Sequence, residues 1–156
     1  MWMERHETCL LLAKRELQAS EKLLDVTYRL LEEPKVLMVC AAKVFSSLCN
    51  AVKALLLFEA AKKRIPMPNE DVESMLETFK ARQTRRYRLS EDYSRIIDEI
   101  GGIVEEHRKS PLEFSRNGNL VICNENFEYR LLSYDGLLHY NKKAKLFIKE
   151  VESIMQ

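Results

Sequence analysis

Apolar positions recur at three- and four-residue spacings along most of the chain, the period of helices with one buried face. From about Glu7 to Leu31 they are Leu10, Ala13, Leu17, Leu24, Tyr28 and Leu31, with Glu, Lys and Arg filling much of the rest. Glu32-Glu33-Pro34 ends this first helix, because a residue before proline is pushed out of the helical region. The second segment, Lys35 to Arg64, has only Lys43, Ser46, Ser47, Asn50 and Lys53 as polar residues between Val36 and Phe58. At 100° per residue these fall within an arc of about 120°, one narrow hydrated stripe. The remaining circumference holds Leu37, Val39, Ala41, Val44, Phe45, Leu48, Val52, Leu55 and Leu56. An apolar arc that wide implies burial on two sides and predicts the central helix of a bundle. Ile65-Pro66-Met67-Pro68 closes the segment.

Asn69 is the expected N-cap of a third helix, with Glu70, Asp71 and Glu73 in its first turn and Val72, Met75, Leu76 and Phe79 on its buried stripe. This helix is expected to dissolve into the basic run from Lys80 to Arg88. Ser90 caps a fourth, whose stripe is Tyr93, Ile96, Ile97, Ile100, Ile103, Val104 and His107. Gly101-Gly102 interrupts that stripe and predicts the close approach of a neighbouring helix. From Pro111 to Asp135 the helical period fails. Asn117-Gly118 is the usual dipeptide of a two-residue hairpin turn, and Phe127, Tyr129 and Leu131 alternate with Glu128 and Arg130, which suits a short strand as well as a helix start. A last helix, capped by Asp135 or Ser133, carries Leu137, Leu138, Ala144, Phe147, Ile148, Val151, Ile154 and Met155 on one face. The fold class is all-α. It is an antiparallel up-and-down bundle of four to five helices in one domain, 1–156, with a short β-hairpin or an irregular insert around 111–134.

Composition narrows the function classes more than it names one. The 156 residues suit one domain of ordinary size, and four Gly with four Pro are too few for a many-stranded sandwich. Lys and Arg number 25 against 24 Asp and Glu, so a net charge of +1 creates no global pull toward nucleic acid or membrane. The longest unbroken apolar run is the seven residues from Val36 to Ala42, and Met1 to Ala13 lacks the pattern of a signal peptide. Cys9, Cys40, Cys49 and Cys123 show no paired spacing and are expected as reduced thiols packed like small apolar groups in a cytoplasmic protein.

The run Phe45-Ser46-Ser47-Leu48-Cys49-Asn50-Ala51-Val52-Lys53-Ala54-Leu55-Leu56-Leu57 resembles the second helix of HEPN domains, which reads as an alanine-rich amphipathic helix ending in Lys-Ala-Leu-Leu. Tyr140 to Val151, with Ala144 and Phe147, is similar to that family's last helix. The resemblance implies a homodimeric helical bundle that binds a nucleotide, RNA or a partner protein such as a small nucleotidyltransferase. Some members are metal-independent ribonucleases whose site reads Arg, a gap of four to six residues, then His. That spacing occurs nowhere here. Eleven residues separate Arg95 from His107, eight separate Arg130 from His139, and His6 follows Arg5 directly. A non-catalytic member is therefore expected. A ribonuclease built on Arg130 and His139 ranks below it, and a helical protein–protein adaptor with no nucleic-acid role is the alternative.

Lys80, Arg82, Arg85, Arg86 and Arg88, with Tyr87 among them, are the candidate contacts to phosphates, bases or a partner. The plainer reading is a solvated helix end whose arginines favour the negative pole of the dipole. His6 and Cys9 have the spacing of half a zinc site but lack a second pair, so neither a metal nor any other cofactor is expected. The residues three before each histidine are Met3, Val104 and Gly136, which removes the Glu-x-x-His signature of di-iron bundles.

Overall fold

In the computed structural model, which describes residues 3–109 and 112–156, five main helices carry most of the chain and three short strands form one antiparallel sheet. Helix α1 (Arg5–Lys22) continues through a π-helical stretch, Leu23–Tyr28, into a last turn, Arg29–Leu31. Glu32, at φ 50°, adopts the left-handed conformation that ends it two residues before Pro34. Helix α2 (Lys35–Ala61) follows at once.

Helix α2 is the axis of the fold. It touches α1, the other three main helices and the sheet, and its side chains from Leu37 to Glu59 supply more of the core than any other element. By length and a mean hydropathy of 1.5 over its most apolar window it matches a bilayer span, although its longest unbroken apolar run is short. Its apolar faces are taken up by neighbouring helices and the sheet. The hydrated stripe differs from the expected one. Ser47 is fully buried and its hydroxyl donates to the Ala13 carbonyl at 2.6 Å, so small residues let α1 and α2 approach closely. Val39, expected in the apolar arc, is exposed. It stands in the same row of three- and four-residue steps as Ala42, Ser46, Asn50 and Lys53, which is the open side of the helix.

Helix α3 (Val72–Thr78) begins two residues later than Asn69 predicts: Asp71 is the N-cap, its carboxylate accepting from the Ser74 N–H at 2.9 Å. That hydrogen bond holds the Asp71 carboxyl below its usual pKa. The helix does not dissolve at Lys80. It widens into a π-helical stretch, Phe79–Gln83, and closes with Thr84–Arg86, where the Thr84 hydroxyl donates to the Lys80 carbonyl at 2.7 Å. The wider turn keeps both Phe79 and Gln83 facing inward. Helix α4 (Glu91–Arg108) starts at the Ser90 cap, and helix α5 (Tyr134–Met155) at the Ser133 cap. Phe147 of α5 joins these elements, its ring edge-on to Phe79 at 5.5 Å and 5.0 Å from that of Tyr93.

Residues 112–132 correct the all-α expectation. They form neither an irregular insert nor one hairpin but a three-stranded meander, β1 (Leu112–Arg116), β2 (Asn119–Cys123) and β3 (Tyr129–Leu132) in that order; Pro111, the expected start of the stretch, lies outside the described residues. Asn117 at φ 53° and Gly118 at φ 79° make the tight turn their dipeptide predicts, and the Tyr28 hydroxyl of the α1 extension donates to the Gly118 carbonyl at 2.7 Å. Leu120, Ile122 and Leu132 are buried in one cluster with Leu24, Leu37, Ala41 and Ile103 from the helices and Leu137 from α5. The glycine pair answers to two neighbours. A Cβ on Gly101 would lie 2.9 Å from the Phe45 ring of α2, as a close helix requires, whereas one on Gly102 would lie 2.9 Å from the Arg130 guanidinium of β3. All four cysteines are free thiols, and burial pushes Cys40 up to about 11 and Cys49 to about 12.

Candidate functional site

The basic run lies on the π-helical extension of α3 and the turn after it, and half of it is already engaged. Lys80 Nζ pairs with Asp98 Oδ1 of α4 at 2.5 Å. Arg86 and Tyr87 turn toward Glu59, a carboxylate with no exposed surface near the end of α2. A buried carboxylate is tolerated only when it is paired and hydrogen-bonded. Glu59 accepts from the Tyr87 hydroxyl and from Arg64 Nη1 at 3.2 Å, and Arg86 Nε stands 3.5 Å away. Burial, then the hydrogen bond to Glu59, push the Tyr87 phenol above its ordinary pKa, which keeps it a donor. The Arg86 guanidinium also sits 5.7 Å from the centroid of the Tyr87 ring. Arg82, Arg85 and Arg88 are exposed and make no ion pair among the described residues. Arg64 and Glu59 are the partners that spacing could not reveal, since they lie more than twenty residues before the arginine and tyrosine they meet.

Arg130 projects from β3 across Gly102, the glycine making room for its guanidinium. Its Nε lies 3.1 Å from Glu106 Oε2, an ionic contact rather than an aligned hydrogen bond, and Nη1 reaches the Glu99 carbonyl at 3.5 Å. The Tyr140 hydroxyl donates to Glu99 Oε2 at 3.1 Å, and burial followed by that carboxylate pushes the phenol up to about 12. His139, the next residue back on α5, is exposed, with its ring centroid 6.1 Å from that of Tyr140 and no hydrogen bond to Arg130. These contacts clasp β3 and α5 to α4. A general base set against a cation needs mutual reach, and within one chain no hydrogen bond joins the two candidate catalytic residues.

His107 Nδ1 contacts Glu113 of β1, and the His6 ring packs edge-on to Phe58 at 5.5 Å. Among the described residues no three His, Cys, Asp or Glu side chains gather as metal ligands would.

The feature that stands apart is the outer face of the sheet. Register places Leu112, Phe114 and Arg116 of β1 opposite Cys123, Val121 and Asn119 of β2, with Leu131 and Tyr129 of β3 opposite Val121 and Cys123. All point away from the helices, because side chains alternate along a strand and the other set fills the core. Leu112 is 69% exposed, Phe114 45%, Tyr129 72% and Leu131 54%; Phe127, in the loop before β3, reaches 87%. Phe114, Tyr129 and Leu131 line an open groove of about 460 Å³ with the buried Val121 at its floor, and Arg116, Asn117, Asn119 and Cys123 complete its lining. The spacing reading missed this surface, yet a signal was present. Leu120-Val121-Ile122 is an unbroken apolar run, the pattern of a strand covered on both faces. This chain covers one.

Comparison of the chain with family models, curated protein sequences and solved structures returns no match.

Proposed function

We propose that this is a non-catalytic, HEPN-like helical protein of the cytoplasm that works by association, pairing with a second copy of itself and binding a nucleotide, RNA or a partner protein such as a small nucleotidyltransferase. The observation that carries this reading is the exposed apolar outer face of the sheet, since soluble monomers seldom leave contiguous apolar area of that kind uncovered. The antiparallel up-and-down bundle belongs to the same reading and draws support from α2, which touches each of the other four main helices. The ranking of a ribonuclease below this reading draws support from Arg130, whose guanidinium is already committed to Glu106 and the Glu99 carbonyl.

For the nucleic-acid half, Arg82, Arg85 and Arg88 are the cations left to meet phosphates. Three phosphate contacts give a salt slope of roughly −2 on single strands. Titrating short single-stranded RNA and free nucleotides at two salt concentrations tests it: binding that weakens with that slope and is lost in an Arg82→Ala, Arg85→Ala, Arg88→Ala triple variant is the expected result. Absence of binding at low salt leaves the second reading, a protein–protein adaptor without a nucleic-acid role. The ion pairs of Lys80 and Arg86 and the hydrogen bond of Tyr87 favour that second reading, because they remove two of the five positive charges and the aromatic hydroxyl from external use.

A further inference from the structure

We infer that Phe127 is the anchor of the homodimer, the ring of each copy seating in the groove on the outer sheet face of the other. The inference rests on the association reading above and names its surface. Phe127 is the most exposed large apolar residue among those described, and its backbone lies at φ 61°. Bulky side chains avoid that left-handed conformation, and residues held there mark sites where the surrounding structure enforces the geometry. The enforcement is visible. Asn124 Oδ1 accepts from the backbone N–H of Asn126 at 2.9 Å and of Glu128 at 3.0 Å, the Phe127 N–H donates to the Asn124 carbonyl at 3.1 Å, and the Asn124 N–H to the Glu128 carbonyl at 2.8 Å. A loop hydrogen-bonded this fully presents an aromatic ring outward and leaves it with nothing to pack on.

The receptor for such a ring lies beside it on the same sheet. The groove over Val121 is walled by Phe114, Tyr129 and Leu131, apolar and aromatic surfaces against which another aromatic ring packs edge-on or offset. Knob and groove on one patch are what a two-fold, isologous contact requires, since each copy gives and receives the same element. Area agrees: at aromatic side-chain areas of about 150–250 Å², the five exposed residues offer on the order of 600 Å² per copy. That approaches the roughly 800 Å² per partner of a standard interface. Charge agrees as well. Arg116, at the turn end, is the one charged side chain that the strands place on the face, and it is opposite in sign to the Glu125 and Glu128 that flank the inserting ring. Glu125 and Glu128 flank Phe127 and oppose an anionic lipid surface, which attracts lysine and arginine.

The test is sedimentation equilibrium of the parent, of Phe127→Ser, which removes the knob, and of Leu131→Lys, which obstructs the groove. Both positions are exposed, so the circular-dichroism melt of each variant at low concentration reports an intact fold. The parent is expected to dimerise, and each variant to weaken the dimer by roughly thirty-fold or more, the effect of removing an interface hot spot. Mixing the two variants is expected to restore dimers containing one copy of each, because one intact ring–groove pair then forms. A parent that stays monomeric at every concentration overturns the association reading and this inference together. A parent dimer that Phe127→Ser leaves unaffected overturns the anchor while the association reading stands. Two weakened variants that fail to rescue each other overturn the reciprocal seating.

Discussion

The two faces of the small sheet are made by the same strands and have opposite fates. Leu120, Ile122 and Leu132 point inward and are closed over by α1, α2, α4 and α5, whereas Phe114, Tyr129 and Leu131 point outward into water. Both faces are apolar. What separates them is that the helices are all used on one side. A half-covered antiparallel sheet ordinarily alternates apolar-in and polar-out. The departure here, concentrated in Leu120-Val121-Ile122, assigns fold stability to one face and association to the other.

The largest effect expected from this comparison comes from placing the same charge on each face. Leu120→Asp puts a carboxylate in one cluster with Leu24, Leu37 and Ile103, opposite Ser115 and Leu132 and with no cation in register to pair it. An unpaired buried carboxylate costs several kcal/mol, comparable with the roughly 5–15 kcal/mol that holds a domain together. Cooperative thermal unfolding should be lost, as it should for Val52→Asp in the fully buried centre of α2. Leu131→Asp should leave the melt of the monomer intact. A cooperative melt for Leu120→Asp would mean that the sheet is not part of the core.

Truncation gives a finer reading of the same contrast. Ile122→Ala removes fully buried methyl groups and leaves a cavity, a loss of about 2–5 kcal/mol. Leu131→Ala changes a surface contact and should stay within about 0.5 kcal/mol. Urea unfolding at concentrations where the protein is monomeric measures both. Raising the concentration should bring out a cost for Leu131→Ala alone, because stability gained by association follows mass action.

The helices were legible because burial of one face writes a 3.6-residue period into the chain, and their caps at Ser90 and Ser133 are local signals read within three residues. The hairpin turn was legible for the same reason, Asn117-Gly118 being a local conformational demand. The third strand was legible only as one of two readings, a short strand or a helix start. Tyr129 to Leu132 alternates, but its inner neighbour Arg130 is polar, and only the tertiary fit of its guanidinium over Gly102 explains a charge on the inner face. The Glu59 cluster was equally hidden. Glu59 ends an apolar helix in sequence and gains its meaning from Arg64, Arg86 and Tyr87, which the turn after α2 and the widened end of α3 bring back to it. The basic run could be counted from the sequence, but how many of its charges remain available depended on contacts that no spacing encodes.

How the sheet is fastened to the helices is a further question the two faces raise, and the adjacent glycines of α4 answer it with the smallest effects. An alanine at either position gains about 1 kcal/mol of helix propensity, so any loss must come from what the new methyl meets. At Gly101 it meets the Phe45 ring at 2.9 and 3.3 Å, a rigid side chain packed against the main core. Overpacking of that kind costs about 1–3 kcal/mol, and Gly101→Ala should be destabilising on balance. At Gly102 the methyl meets the far end of Arg130, a flexible side chain whose ionic contact with Glu106 is partly exposed and worth no more than about 1 kcal/mol. The guanidinium can swing aside, so Gly102→Ala should fall within about 0.5 kcal/mol of the parent in urea unfolding. Should Gly102→Ala cost as much as Gly101→Ala, the clasp of Arg130 rather than the buried face of Leu120, Ile122 and Leu132 would be holding the sheet in place. The division of labour between the two faces would then have to be redrawn.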